Sequence, residues 1–192
     1  MKPIRIDDGV FDRIDMSAYT IEEKLDGFRL ILIVDNGVKL YTRQKNQMLI
    51  PDNLKSQLDC LSLPDGTILD GEIWNESKRG SWVHDRSSVC YLSFWDIMSF
   101  KYEDISAFPI EKRREILSNL VPNEGDIRTS SYYQASKERY KEIKEMSIEF
   151  RRVNKSKSGF VHGAVLKRKG SPRRDNVVRS VEHADWLKIV CI

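Results

Sequence analysis

The sequence predicts an α+β fold, because segments rich in β-forming residues are numerous, three helical segments lie between them, and the connections are of the hairpin type. The clearest hairpin joins Phe28–Val34 to Val38–Arg43 through Asp35-Asn36-Gly37, since Asn-Gly supplies the positive φ angles that a tight turn requires. With 192 residues, 40% of them apolar, the chain is long enough for a real core. We expect one domain over residues 1–192.

The other elements are predicted from apolar periodicity and from turn and helix-start signals. This interpretation places Lys24 in the loop that leads into the first hairpin strand. The longest helix is predicted because Ile143, Met146 and Phe150 fall on one stripe. The predicted elements are strands at Ile4–Ile6, Thr67–Trp74, Val89–Met98, Ile127–Gln134, Gly159–Lys169 and Trp186–Cys191, and helices at Pro51–Leu61, Pro109–Leu120 and Ser136–Arg152.

Composition excludes several classes of protein. No apolar run approaches the roughly 20 residues of a membrane-spanning helix. The segment Met1–Arg5 lacks the apolar core of a signal peptide, so we expect a cytoplasmic protein. Cys60, Cys90 and Cys191 are odd in number and have no paired spacing, which indicates reduced thiols rather than disulfides or a zinc site.

Positive charge is concentrated near the C-terminus. The segment Arg151–Arg179 contains ten Lys or Arg and one acidic residue, Asp175, so it carries +9 while the whole chain carries only +3. One interpretation is a solvated basic loop. The other is a surface that faces phosphates and binds nucleic acid through salt-sensitive electrostatic attraction. The charge pattern alone leaves both open.

The most informative stretch is Lys24-Leu25-Asp26-Gly27-Phe28-Arg29. It resembles the nucleophile motif of the covalent nucleotidyltransferases, which comprise ATP-dependent DNA ligases, RNA ligases and mRNA capping enzymes. In that motif the lysine becomes covalently joined to a nucleoside monophosphate. An amine attacks only in its neutral form, so such a lysine needs a desolvated site or neighbouring cations.

Four further stretches follow in the order and approximate spacing of the DNA ligase family: Tyr41-Thr42-Arg43, Ile68–Ile73, Leu92–Met98 and Trp186–Ile189. Five collinear motifs cover nearly the whole chain. The resemblance implies the adenylation domain of an ATP-dependent DNA ligase. It also implies an antiparallel-sheet nucleotidyltransferase fold that is ATP-grasp-like, with flanking helices and the nucleotide in a groove between sheets.

The resemblance also implies roles for individual residues. Lys24 would attack the α-phosphate of ATP, Asp26 would position it, and Lys188 would neutralise the phosphate. The alternatives are that Lys24 is an exposed lysine at a strand edge and that Asp26 with Gly27 only forms a turn. The expected nucleotide contacts are Glu22 to the adenine amino group, Arg29 and Glu72 to the ribose, Trp95 stacked on the base, and Lys167 with Lys188 at the phosphates.

Nicked double-stranded DNA is the partner that the resemblance implies. Residues expected to face nucleic acid are Arg43, Arg168, Lys169, Arg173 and Arg174. The chain has no room for the OB-fold domain that usually follows in this family. We therefore expect either an excised adenylation domain or a partner chain that supplies the missing half.

Two positions depart from the family pattern. His162 stands where the family has a glutamate that helps to hold a divalent metal, and Val190 stands where it usually has a second lysine. Mg²⁺ prefers oxygen ligands, and imidazole is a poor substitute. A histidine at this position therefore indicates that another carboxylate holds the metal, that a softer ion such as Mn²⁺ is used, or that catalysis is impaired. The alternative interpretation is that His162 is a hydrogen-bonded strand residue without a metal role.

Alternatives to a DNA ligase remain at this stage. The same motifs occur in RNA ligases and in GTP-dependent capping enzymes, although the Leu-Asp-Gly-Glu and Trp-Leu-Lys forms favour DNA ligases. The two departures also fit a non-catalytic module that still binds nucleotide or DNA. ATP with Mg²⁺ or Mn²⁺ is the expected cofactor set under the leading hypothesis.

Overall fold

A computed structural model describes residues 3–75, 86–153, 161–173 and 185–191, which form two mainly antiparallel sheets with helices packed against them. This architecture confirms the predicted α+β class. The first sheet contains, in spatial order, β1 (Ile4–Arg5), β12 (Trp186–Val190), β11 (Val161–Arg168), β2 (Tyr19–Leu25) and β10 (Tyr133–Gln134).

The second sheet contains the predicted hairpin and is flanked by two of the helices. Its strands, in spatial order, are β5 (Gln47–Met48), β4 (Val38–Thr42), β3 (Phe28–Val34), β6 (Ile68–Trp74), β7 (Tyr91–Phe100) and β8 (Glu103–Asp104), and β9 (Ile127–Thr129) pairs in parallel with β7. The helices are α1 (Asp8–Phe11), α2 (Asp52–Cys60), α3 (Ile110–Leu120) and α4 (Lys137–Val153), and a 3₁₀ turn covers Met16–Ala18.

The hairpin between β3 and β4 forms as predicted. Asn36 has a φ of 49° and Gly37 a φ of 114°, which are the positive values that the Asn-Gly turn requires. The pairing runs from Val34 opposite Val38 to Leu30 opposite Thr42. Arg43 therefore lies just beyond the end of β4.

The prediction that Lys24 lies in a loop is wrong. Lys24 is on β2, which is paired with β11 on one side and β10 on the other. The sequence conceals this strand because Glu22, Glu23 and Lys24 interrupt any apolar alternation. Glu22 is nevertheless buried, so the strand carries a charged residue inside the protein.

The predicted strand over Ile127–Gln134 is also corrected. Its first part, β9, belongs to the second sheet, and its last part, β10, belongs to the first. Between them, the backbone N–H of Ser130 still donates to the Phe94 carbonyl at 2.8 Å. The chain thus crosses from one sheet to the other here, and a single apolar pattern conceals the crossing.

Each sheet has its own apolar core. One core packs around Leu30, Leu69 and Phe94, and the other packs around Ile21 and Leu187. In α4, which forms as predicted, Ile143 is fully buried but Met146 is 47% exposed. The buried stripe instead passes through Tyr140, Ile143 and Ser147, at the i, i+3, i+7 spacing of one helix face.

The cysteines are free thiols, as predicted, with Cys90 and Cys191 buried and Cys60 exposed. Over the ranges given above, none of the helices has the length and apolar character needed to cross a membrane.

Candidate active site

A cleft with an empty volume of about 930 Å³, including its solvent-open mouth, lies between the two sheets. All six residues predicted to contact the nucleotide line this cleft, whereas Asp26 does not. The lining residues are Glu22, Glu23, Lys24, Leu25, Val165, Lys167, Trp186 and Lys188 from the first sheet, Arg29, Glu72 and Trp95 from the second, and Pro3, Arg43 and Ser130.

The wall from the first sheet is built by strand register. Glu22, Val165 and Lys188 lie opposite one another on β2, β11 and β12, so their side chains share one face. Lys24 lies two residues beyond Glu22 and therefore points to the same face. Its row continues across Gly163 to Val190, the position where the family has a second lysine.

Lys24 is half-buried, and its Nζ donates a hydrogen bond to the Leu25 carbonyl at 3.3 Å. Asp26 lies outside the lining, and its Oδ1 is 4.0 Å from Nδ1 of His162. Gly163, opposite Lys24, has a φ of 152°, and an added Cβ would collide with the Ile189 carbonyl oxygen. The backbone beside Lys24 thus requires glycine at this position.

Glu72 forms the facing wall on β6. The backbone N–H of Gly27 donates to Glu72 Oε1 at 3.0 Å. Burial raises the pKa of Glu72 to about 7, an effect that the positive charge of Lys24 and the Gly27 hydrogen bond reduce only in part. A Cβ on Gly27 would lie 2.8 Å from Glu72 Cγ, so glycine is needed for this close approach.

The raised pKa predicts how stability depends on pH. The pKa of Glu72 is about 7 in the folded protein, and its ordinary value is 4.5. Burial of this carboxyl group therefore leaves the free energy of unfolding unchanged below about pH 4.5, where it is protonated, and lowers it by the full amount above about pH 7, where it is ionised. We expect Glu72→Gln to leave the unfolding free energy unchanged at about pH 4.5 and to raise it by up to about 3 kcal/mol at about pH 8. Urea denaturation across this range is the measurement.

Glu115→Gln is the matched control, because Glu115 is an exposed carboxylate on α3. Its effect on the unfolding free energy should not follow the same pH profile. A Glu72→Gln effect that stays constant across this pH range would show that the carboxyl group of Glu72 ionises normally.

Trp95 reaches the cleft through an irregularity in β7. Asp70 pairs with Asp96 and Gly71 pairs with Phe94, so Trp95 is an extra residue in the ladder, as in a β-bulge. Phe94 and Asp96 on either side are fully buried, while Trp95 is half-buried and lines the cleft. The bulge therefore presents the tryptophan side chain to the cleft.

Glu22 and Lys167 form a buried ion pair in the wall, with Nζ of Lys167 2.7 Å from Glu22 Oε1. Both side chains are at most 3% exposed. Burial lowers the pKa of Lys167, although the charge of Glu22 opposes this. Nζ also donates to the Trp95 carbonyl at 3.0 Å and lies 4.4 Å from the centre of the Trp186 ring. Lys167 thus connects the two sheets.

Sequence reasoning missed the residues that hold the other oxygen of Glu22. The hydroxyl of Ser130 donates to Glu22 Oε2 at 3.1 Å, and Arg114 Nη1 donates to that hydroxyl at 3.0 Å. Ser130 lies where the chain crosses between sheets, and Arg114 lies on α3. Neither belongs to a motif, so only the three-dimensional arrangement could identify them.

The sequence that forms this cleft also matches a known family: residues 5–189 match the family model of the ATP-dependent DNA ligase domain. The chain belongs to this family. It is 28% identical over 184 residues to the SPbeta prophage-derived DNA ligase-like protein LigB of Bacillus subtilis (strain 168). That alignment covers 90% of this chain and 61% of LigB, so the chain spans less than two thirds of its relative.

Solved ligase structures share the fold of this DNA ligase domain. The ligase domain of LigD from M. tuberculosis has a TM-score of 0.60 and 16% identity, covering 97% of this chain and 58% of that one. A Lig E DNA ligase has a TM-score of 0.62 and 17% identity, covering 99% of this chain and 69% of that one. The predicted nucleotidyltransferase fold is thereby confirmed.

The predicted ribose-binding arginine of the ligase domain, Arg29, is held by Asp70. Its Nε donates to Asp70 Oδ1 at 2.9 Å and its Nη2 to Oδ2 at 2.7 Å, a bidentate pair. Arg29 and Glu72 lie opposite each other on β3 and β6. Their side chains therefore emerge together on the wall that faces Lys24.

The residues predicted to face DNA occupy different environments. Arg43 and Lys169 are exposed. Arg168 donates to the Tyr19 hydroxyl at 2.7 Å and remains partly exposed. Arg174 lies outside the described residues. The role of these four residues in binding DNA stays a prediction.

The prediction that Arg173 faces DNA is wrong for this structure. Its side chain is only 5% exposed, and its guanidinium is paired with the fully buried carboxylates of Asp70 and Asp96. A basic segment in the sequence suggests a surface role, but these two carboxylates require internal cations.

The sequence places His162 where the family pattern has a metal-binding glutamate. Among the residues that the structure describes, no group of three His, Cys, Asp or Glu side chains is placed to hold a metal. Asp26 and His162 nevertheless lie together beside Lys24, with the 4.0 Å separation given above. A divalent-ion site at this carboxylate and imidazole stays a prediction.

Proposed function

We propose that this domain forms a covalent lysyl-adenylate with ATP as the first step of DNA ligation. The neutral Nζ of Lys24 attacks the α-phosphorus, a P–N bond forms, and the P–O bond to the departing pyrophosphate breaks. Once the P–N bond has formed, Nζ carries a positive charge and releases one proton to solvent, which leaves a neutral phosphoramidate nitrogen. The observation that carries this proposal is the position of Lys24 on the cleft wall opposite Arg29 and Glu72.

The cleft residues divide the recognition of ATP between the two sheets. On one side, Arg29 and Glu72 face the ribose hydroxyls and Trp95 stacks on the base. On the other, Glu22 receives the adenine amino group, and Lys188 neutralises the α-phosphate as charge develops. The main contribution of these residues is orientation, which brings the amine and phosphorus into contact.

Asp26 and His162 would hold a divalent metal bound to ATP. Such an ion supplies charge neutralisation at the phosphates when it is bound.

The second part of the proposal concerns the nucleic acid. The adenylate passes to the 5′-phosphate of nicked double-stranded DNA, and a 3′-hydroxyl then displaces AMP. Arg43 at the cleft and the exposed Lys169 support an acidic polymer as substrate. An OB-fold in a further domain or partner chain would complete the clamp on DNA.

Labelling with α-labelled nucleotides tests the proposal. We expect label to enter the protein from ATP and not from GTP, in the presence of Mn²⁺ or Mg²⁺. Preferential labelling by GTP would favour a capping-type enzyme. Salt-dependent DNA binding without any covalent label would show a non-catalytic module. Transfer from labelled protein to nicked DNA, compared with nicked RNA, identifies the acceptor.

His162→Glu tests the altered metal position. If imidazole is a poor ligand for Mg²⁺, glutamate should increase the Mg²⁺-dependent rate of labelling by about tenfold or more and change the Mn²⁺-dependent rate less. The measurement is a single-turnover rate with each metal. His162→Gln is the control, because it also removes the imidazole but adds no charge. Equal Mg²⁺ rates in wild type and His162→Glu would contradict a metal role for this position.

A further inference from the structure

We propose that Arg173 is a positioning residue for the nucleotide cleft: through the shared carboxylate of Asp70 it sets the position of the Arg29 guanidinium. The consequence for ATP binding rests on the proposed function, whereas the contacts among the three side chains do not depend on it.

The shared carboxylate is the central feature. Asp70 Oδ2 accepts from Arg29 Nη2 at 2.7 Å and from Arg173 Nη2 at 2.6 Å. Asp70 is fully buried and the Arg173 side chain is 5% exposed, while the Arg29 side chain is 25% exposed and lines the cleft. One oxygen atom therefore connects a buried arginine to one that faces the ligand.

Arg173 is itself fixed from several directions. Its Nη1 donates to Asp96 Oδ2 at 3.1 Å, and Asp96 is bound on its other oxygen by Arg113 at 2.8 Å. The backbone N–H of Arg173 donates to the Ser106 carbonyl at 2.7 Å. Arg113 also donates to the Ser171 carbonyl, close to Arg173 in the chain. Arg173 thus has little freedom to follow Arg29.

Charge balance explains what this arrangement does to Arg29. Two buried aspartates are shared among three arginines, so each carboxylate is contacted by two cations. If Arg173 is removed, Arg29 is the one cation left on Asp70 within the part of the chain that the structure describes. Arg29 already contacts both Asp70 oxygens, so the loss of Arg173 frees the Asp70 carboxylate to rotate and to carry the Arg29 guanidinium with it. Arg173 therefore fixes Asp70, and through it the position of Arg29 at the cleft.

Arg173→Gln and Arg173→Lys are the variants that test this inference. Glutamine removes the charge, whereas lysine keeps it but cannot bridge Asp70 and Asp96 with a planar fork. Lys112→Gln, which removes an exposed charge on α3, is the control for net charge. If the glutamine variant does not fold, the lysine variant still breaks the bridge.

Two readouts separate the inference from the proposed function. The first is the side-chain Nε–H NMR signal of Arg29, which reports its hydrogen bond to Asp70 without any nucleotide. The second is the ATP dependence of single-turnover labelling, which separates apparent ATP affinity from the maximal rate. We expect the Arg29 signal to shift in both Arg173 variants and ATP affinity to fall about tenfold, with a smaller change in rate. Lys112→Gln should change neither.

A double-mutant cycle with Arg29→Gln completes the test. If Arg173 acts through Arg29, its effect on ATP affinity disappears when Arg29 is already replaced by glutamine. An unchanged Arg29 signal in both Arg173 variants, or additive effects in the cycle, would overturn the inference. If wild type forms no adenylate, the proposed function fails, while the NMR signal alone still decides whether Arg173 positions Arg29.

Discussion

Replacing Lys24 with alanine should abolish covalent labelling by α-labelled ATP, lowering it by more than about a thousandfold. The reaction requires an amine that can lose its proton and form the P–N bond, and alanine offers none. Lys24→Arg should be equally inactive, because its guanidinium remains protonated although the positive charge is kept. Gel detection of labelled protein measures the loss.

The fold should survive this change, since the hydrogen bond recorded for Lys24 Nζ is to the neighbouring Leu25 carbonyl. A cooperative thermal unfolding transition is the control for folding, because loss of the Lys24 charge beside Glu72 itself shifts the midpoint. Lys167 cannot readily replace the nucleophile, because it is buried and paired with Glu22. Labelling of Lys24→Ala on another lysine, identified by peptide mapping, would contradict the assignment of Lys24 as nucleophile.

Removal of Lys167 should have the largest effect on stability. We expect Lys167→Met to lower the free energy of unfolding by about 3–5 kcal/mol, because it leaves the buried Glu22 carboxylate without its cation. The same change removes the hydrogen bond to the Trp95 carbonyl and the contact with the Trp186 ring. Urea denaturation at neutral pH measures the loss.

The double variant Glu22→Gln/Lys167→Met separates charge from packing. If the unpaired carboxylate causes most of the loss, the neutral amide that replaces the Glu22 carboxylate should restore the larger part of it. The Ser130 hydroxyl can still donate to the amide oxygen, so the second partner is preserved. A double variant as unstable as Lys167→Met alone would show that packing around Trp186, rather than the buried charge, dominates.

The motifs predict the cleft well because each residue type has a chemical reason to face ATP. Lys24, Glu72 and Lys188 can be identified from the sequence without knowing that two sheets bring them together. The strand that carries Lys24 cannot be identified from the sequence. Burial of Glu22 on this strand depends on Lys167, which lies on a strand far away in the chain. Pairing over such a distance leaves no local pattern.

The wrong prediction for Arg173 and the missed role of Ser130 also result from contacts between distant parts of the chain. The basic stretch around Arg173 predicts DNA binding, but two buried aspartates on different strands bind this arginine internally. Ser130 lies at the crossing between sheets, where an apparently continuous strand divides. Both residues depend on tertiary contacts, which apolar periodicity and charge counts do not record.

A crystal structure after soaking with ATP and Mn²⁺ tests the central claim most directly. We predict continuous density from Lys24 Nζ to a phosphorus atom, with the ribose beside Arg29 and Glu72 and the adenine against Trp95. ATP bound away from this cleft, or adenylate attached to a different residue, would contradict the account.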